Sequence, residues 1–298
     1  MPISSHSTPR ARSTPRVLFN TPLRGTRSIL ITGCSSGIGY CTARGLVERG
    51  YNVIASARKT QDVERLKSEG LNTLQLDLAD SQSIQQAVHK VLEQTNGELY
   101  ALFNNGAYGQ AGAVEDLSRD VMRQQFETNL FGTLELTNHI IPVMRKQGYG
   151  RIIQCSSILG FVALKYRGAY NASKYALEGI NDTLRLELKG SGIHLSSVQP
   201  GPISTRFRAN SLMMYKKNIN KESSFHKQTY QAMEQRLEKA GPAAPFTLPP
   251  EAVLKKVIHA LESKRPKNHY PVTFPTYLFA VLKRILPSRA LDNILAKI

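Results

Sequence analysis

Six short apolar runs with helical stretches between them set the fold this chain can adopt. They are Ser28-Ile29-Leu30-Ile31-Thr32, Tyr51 to Ser56, Thr73 to Leu76, Leu99 to Phe103, Arg151 to Cys155 and Ile193 to Val198. Helical spacing fills gaps from about Ile38 to Arg49, from Ser81 (a candidate cap) to Thr95, and over about 118–147 and 168–189. Strands that are apolar throughout, rather than alternating with polar residues, must be covered on both faces. A parallel sheet between two layers of helices satisfies that requirement. The expected fold is therefore α/β, a doubly wound parallel sheet in a single domain, and 298 residues suffice to bury its core.

Charge is concentrated at the two ends. The net charge is +17, and the first 29 residues hold five arginines and no acid. Residues 1–26 read as a flexible basic leader, with an organelle transit peptide as the alternative; Pro2, Pro9, Pro15 and Pro22 oppose the amphipathic helix that targeting needs. Residues 27–263 form the expected catalytic domain, and 264–298 a basic, partly amphipathic tail whose only acid is Asp292. In that tail, Tyr277 to Leu286 reads as a helix packing on the body, with peripheral contact to an anionic membrane as the alternative. No run of eighteen apolar residues suggests a membrane span. Cys34, Cys41 and Cys155 have neither disulfide nor zinc spacing, and the seven histidines are scattered. Reduced thiols, a cytoplasmic setting and no metal are the expectation. Nucleic acid is not an expected partner, because no recognition motif accompanies the charge.

Ligands of such sheets bind beyond the carboxyl ends of the strands. There Gly33-Cys34-Ser35-Ser36-Gly37-Ile38-Gly39 joins the first strand to the first helix. Glycines let the backbone turn tightly and approach a pyrophosphate, while the helix N-terminus supplies free N–H groups. The same residues also spell G-x-S-x-G, the nucleophile elbow of a hydrolase, which would require Ser35 to be activated by His226, His259 or His269. Further on, Tyr170 and Lys174 stand four residues apart, on one helix face. A phenol beside a fixed ammonium is easier to ionise, so Tyr170 is a candidate proton donor and acceptor.

Thr32-Gly33-Cys34-Ser35-Ser36-Gly37-Ile38-Gly39, Asn104-Asn105, Asn129, Ser157, Tyr170-x-x-x-Lys174 and Pro200-Gly201 together resemble the short-chain dehydrogenase/reductase family in order and spacing. The resemblance covers roughly residues 27 to 205. Pro200 to Phe207 and the basic tail look like a bacterial branch reducing aldehydes and ketones, similar to retinol and 17β-hydroxysteroid dehydrogenases.

The resemblance implies roles. Tyr170 exchanges a proton with the substrate oxygen, Lys174 lowers the Tyr170 pKa and bonds the nicotinamide ribose, Ser157 donates to the substrate oxygen, and Asn129 holds a water in the proton relay. Gly33, Ser35, Ser36, Gly37, Ile38 and Gly39 surround the pyrophosphate, Asp77 reaches the adenine, Asn104 lines the cleft, and Pro200, Gly201 and Thr205 border the nicotinamide. Asn104-Asn105-Gly106-Ala107 inverts the family's usual Ala-Gly order. At the end of the second strand, Ala57-Arg58-Lys59 has no acid, and Arg58 suits a 2′-phosphate, so NADP(H) is expected over NAD(H). The expected substrate is a lipophilic aldehyde or ketone, under a lid at 202–249 that carries Met213, Met214, Tyr215, Phe225 and Tyr230; these could equally fill the core beneath the lid. A retinol- or steroid-type alcohol dehydrogenase and a non-catalytic NADPH-binding regulator are the alternatives. Family members pair through helices near 118–147 and 168–189, which implies a homodimer or homotetramer.

Overall fold

The computed structural model describes residues 27–239, 241–242 and 244–298, so the expected leader at 1–26 lies outside the described residues. The chain runs β1 (Ser28–Ile31), α1 (Gly37–Val47), β2 (Asn52–Ala57), α2 (Thr60–Ser68), β3 (Asn72–Gln75), α3 (Ser81–Gln94) and β4 (Ala101–Asn104). It continues through α4 (Arg119–Phe126), a π segment (Glu127–Phe131), α5 (Gly132–Gln147), β5 (Gly150–Cys155), α6 (Gly168–Glu187) and β6 (Ile193–Gln199). The rest comprises α7 (Phe207–Asn218), α8 (Lys227–Glu238), α9 (Glu251–Glu262), β7 (His269–Pro271), α10 (Phe274–Ile285) and α11 (Ser288–Leu295).

All seven strands are parallel, in the order β3-β2-β1-β4-β5-β6-β7. Each buried strand sends alternate residues to opposite cores. Ile29, Ile31 and Phe103 meet α1 and α9 through Ala43, Leu46, Val253 and Val257. Leu30, Leu102 and Ile152 meet α3 and α5 through Ile84, Val91, Leu136 and Ile140. The chain leaves β1 in one direction, builds β2 and β3, then returns to place β4 on the other side of β1. That reversal opens a crevice at the carboxyl ends of β1 and β4.

Several local expectations shift. The helix beginning at Ser81 is capped not by Ser81 but by Asp80, whose carboxylate accepts from the Gln82 N–H at 3.0 Å. The stretch 118–147 is not one helix: the π segment divides it. The division expected at 263 does not fall at an edge of the sheet, because β7 lies beyond it and pairs with β6 from Ser197↔His269 to Gln199↔Pro271. The lid region departs from βα alternation as expected, but as two helices. Tyr215, Ile219, Tyr230 and Met233 bury themselves against Ala111 and Ala113 of the loop after β4. Met213 and Phe225 face outward.

Candidate active site

The glycine turn after β1 is closed by its neighbours. Gly33 (φ +70°) and Gly37 (φ +60°) occupy left-handed backbone that other residues avoid. A Cβ on Gly33 would come within 2.7 Å of the Gly106 Cα, and one on Gly39 would overlap the Gly33 carbonyl. The loop after β4 holds the turn in place: the Asn105 side-chain amide donates to the carbonyls of Thr32 (3.0 Å) and Gly33 (3.1 Å). Thr32 Oγ1 accepts from the N–H groups of Asn105 (2.9 Å) and Gly106 (2.8 Å). The inverted Gly106-Ala107 order therefore puts the smaller residue where Gly33 comes closest. On the outer side, Arg65 of α2 donates to the Ser35 carbonyl at 2.7 Å and pairs with Glu69. Sequence reading placed Asn105 in the family motif without a role and passed over Arg65, since nothing local marks a long-range backbone clamp.

Ser36 precedes α1 with extended backbone and makes no side-chain cap bond. The first N–H groups of α1 thus keep their capacity for an anion, in a cradle where extra side-chain atoms would not fit. These residues fit a dinucleotide pyrophosphate. Thr205 reaches the same turn, its Cβ 3.0 Å from where a Gly37 Cβ would stand, and its hydroxyl accepts from the Phe207 N–H at 3.2 Å. Arg58 is exposed just past β2, where the Gln75 amide bonds its carbonyl at 3.0 Å. Asp77 follows β3, its carboxylate accepting from the Ala79 N–H at 3.0 Å. Asn104 departs from expectation: its side chain is buried on the α5 face of the sheet and donates to Thr137 Oγ1 at 2.9 Å. The neighbouring Asn105, not Asn104, faces the glycine turn.

The four candidate catalytic residues converge at the ends of β5 and α6. Ser157 follows β5 in extended backbone, its hydroxyl accepting from the Leu159 N–H at 3.0 Å. Tyr170, 8% exposed, lies on the first turn of α6, one turn before Lys174. The Lys174 ammonium donates to the Cys155 carbonyl at 2.7 Å and sits 5.8 Å from the Tyr170 ring centroid. Burial pushes the Tyr170 phenol well above its ordinary value, Cys155 adds to this, and only the Ser157 hydroxyl bond pulls it back. Desolvation is the largest influence on the phenol, and the Lys174 ammonium is committed to the end of β5. Burial also lowers Lys174, opposed by Cys155 and by Glu178 one turn further along α6. Although burial favours its neutral acid, Glu178 is kept ionised by His269, Ser156 and Gln199, the Gln199 amide at 2.9 Å. Continuing the i, i+4 spacing from Tyr170 through Lys174 points to Glu178, a step the sequence reading did not take.

Asn129 lies within the π segment, in contact with both halves of the site. Its amide donates to the Tyr108 carbonyl (2.9 Å) and to Ser173 Oγ (3.1 Å), and its Oδ1 accepts from the Tyr108 N–H (3.1 Å). Ser173 in turn donates to the Tyr170 carbonyl at 2.8 Å. Pro200 accepts from the Ile158 N–H at 2.8 Å, and Gly201 packs so tightly on Thr273 and Thr276 that no Cβ would fit. Phe207, at the start of α7, stacks edge-to-face on Tyr170 with centroids 5.2 Å apart and touches Gly109. It is the lid side chain that meets the candidate proton donor.

The hydrolase alternative finds no support in this arrangement. His226 bonds Glu115 and Tyr166, His259 bonds Tyr270, and His269 lies against Glu178 and Asp182, so each candidate base is engaged away from Ser35.

Residues 27–216 match the short chain dehydrogenase family. The chain belongs to the short-chain dehydrogenase/reductase family. An Escherichia coli relative described as the uncharacterized oxidoreductase YbbO is 45% identical over 269 residues, covering 90% of this chain and 94% of that one. The human dehydrogenase/reductase SDR family member 9 is 32% identical over 280 residues, covering 90% and 87%. A Burkholderia phymatum short-chain dehydrogenase/reductase solved in complex with NAD shares the fold at a TM-score of 0.72 and 21% identity, over 86% of this chain and 92% of that one. As a short-chain dehydrogenase/reductase, the chain is an oxidoreductase that interconverts CH–OH and C=O groups with a nicotinamide dinucleotide.

Proposed function

We propose that this chain is an NADPH-preferring reductase of lipophilic aldehydes or ketones, working in a cytoplasmic-type setting where its cysteines stay reduced. The carrying observation is the position of Tyr170: a buried phenol beside Ser157, one helical turn from Lys174, with an aromatic lid residue on its face. A phenol kept protonated suits donation to a carbonyl oxygen. Ser157 is placed to donate to the same oxygen and stabilise the charge that develops there. Lys174, anchored to the end of β5, orients the cofactor ribose, and Asn129 and Ser173 fix the backbone that carries Tyr170 (the relay role of Asn129 rests on family resemblance). When bound, the dinucleotide supplies the hydride.

NADPH preference rests on Arg58, an exposed guanidinium at the carboxyl end of β2 with no acid beside it. Gly33, Ser35, Ser36, Gly37, Ile38 and Gly39 would hold the pyrophosphate, Asp77 the adenine, and Pro200, Gly201 and Thr205 the nicotinamide end. The lipophilic substrate class rests on Phe207 and the apolar group of Leu159, Val162 and Phe279 around Tyr170. The deciding experiment is an NADPH-oxidation assay over a panel of aliphatic, aromatic, steroid and retinoid carbonyls, with Tyr170→Phe as control. Turnover should favour apolar carbonyls and fall about 10²–10⁴-fold in the variant. Undiminished turnover in Tyr170→Phe would sink the assignment, whereas turnover confined to polar carbonyls would overturn only the substrate class.

A further inference from the structure

Helix α10 has two apolar faces, and among the described residues only one has a partner. Its inner face carries Thr276 and Phe279, both buried, and Phe279 belongs to the cluster that includes Leu159, Val162, Tyr170 and Leu295. The outer face carries Phe274, Tyr277, Leu278, Val281 and Ile285, spaced i, i+3, i+4, i+7 and i+11, which places them on one stripe. They are exposed by 40% (Leu278) to 67% (Ile285). Phe246 extends the stripe, its ring 4.9 Å from Phe274 and likewise exposed. Single exposed apolar residues are ordinary; six in one continuous stripe mark a surface that something covers.

Charge decides what covers it. The Lys256 ammonium borders the stripe, 3.3 Å from the Tyr277 hydroxyl, and Arg284 and Arg289 are exposed along the same segment, while Lys283 lies over the Tyr175 ring on the opposite side of α10. Against these, Asp292 is the only acid from Lys264 onward. In a twofold pairing of two such faces, each set of cations would meet the other, which like-charge repulsion opposes. An apolar stripe bordered by cations instead complements a surface that is negative outside and oily beneath. At 12 residues α10 is too short to span a bilayer, which takes roughly 20.

We infer that α10 is an interfacial helix that seats this protein on anionic lipid bilayers, laying Phe274, Leu278, Val281 and Ile285 among the acyl chains and its cations among the headgroups. Because Phe279 on the opposite face of α10 shares an apolar cluster with Tyr170, the lipid surface and the catalytic residues lie on two sides of a single helix. This inference stands apart from the substrate reading and is tested without turnover.

The test is co-sedimentation of the full chain with vesicles of phosphatidylcholine alone or mixed with phosphatidylglycerol, at low and high salt. Oligomeric state is measured in parallel by light scattering. Val281→Glu combined with Ile285→Glu changes two exposed positions; Val47→Glu at the end of α1, 43% exposed, is the control surface. The chain should bind phosphatidylglycerol vesicles, release partly at high salt, lose roughly tenfold or more in the double variant, and bind normally in Val47→Glu. Absence of binding to phosphatidylglycerol vesicles, or equal binding by the double variant, overturns the inference. A dimer that becomes monomeric in the double variant, without vesicle binding, assigns the stripe to a second copy instead.

Discussion

Tyr170 shows how one residue's surroundings set the direction of its chemistry. Its phenol sits in an apolar cluster with Phe279 and Leu159, and burial raises it above its ordinary value of 10. A raised phenol keeps its proton through the neutral range. Reduction, which consumes that proton, should therefore be level across neutral pH and fall only on the alkaline side; oxidation, which needs the phenolate, should climb with pH. Measuring kcat/KM in both directions against pH checks this, and a reductive rate falling through pH 7 would place the donor elsewhere. The neighbouring residues were unevenly legible. Tyr170, Lys174 and Ser157 have spacings that announce them. Asn105 and Arg65 do not, because a clamp on a distant carbonyl leaves no periodic trace. Asn104 and Asn105 differ only in which face of the sheet they meet, and which of the two turns toward the glycines depends on where β4 ends.

At the scale of elements, the π segment is the feature that apolar periodicity concealed. An extra residue in one turn shifts the helical phase without removing apolar positions, so 118–147 reads as continuous. The consequence is visible at Gly132, just after the segment, where a Cβ would overlap the Leu78 carbonyl. Gly132 thus lets α5 lie directly on the backbone after β3, while Asn129 is held toward Tyr108 and Ser173. Gly132→Ala must push backbone from backbone and should cost about 3 kcal/mol, as overpacking at rigid sites does. Urea unfolding measures it, and Gly70→Ala is unsuitable as a comparison because Gly70 has φ +85°. Gly179→Ala, in α6 with open space around its Cβ position, is the proper control and should be neutral or stabilising. Strand β7 was missed for a different reason: three residues ending in Pro271 carry too little pattern to read as a strand, and only the open edge of β6 gives them a place.

The whole molecule gathers its candidate site from elements spread between residues 33 and 207: β1 and α1 for the turn, β2 for Arg58, the π segment, β5, α6, and the loop after β6. Six of the seven strands were readable, most of them because they are apolar on both faces; β3 at the sheet edge, with Asn72 and Gln75 exposed, was legible only from its place in the alternation. Ligand binding should accordingly be felt globally. At a hundredfold excess over its dissociation constant, NADPH should stabilise the folded chain by about 2.7 kcal/mol, raising Tm by roughly 5–10 °C. NADH at the same concentration should raise it less, and Arg58→Asp should shrink the NADPH shift more than the NADH shift. Equal shifts for both cofactors in the unaltered chain would remove the basis for NADPH preference.

The packing of Gly201 on Thr273 and Thr276, and of Tyr170 on Phe279, has a consequence for the order in which the protein comes into being. Every candidate catalytic and cofactor-holding residue emerges from the ribosome before His269, yet Thr273, Thr276 and Phe279, which pack on Gly201 and join the Tyr170 cluster, emerge after it. Since chains fold from the N-terminal side as they are made, the sheet from β1 to β6 can assemble while its reactive corner still lacks one side.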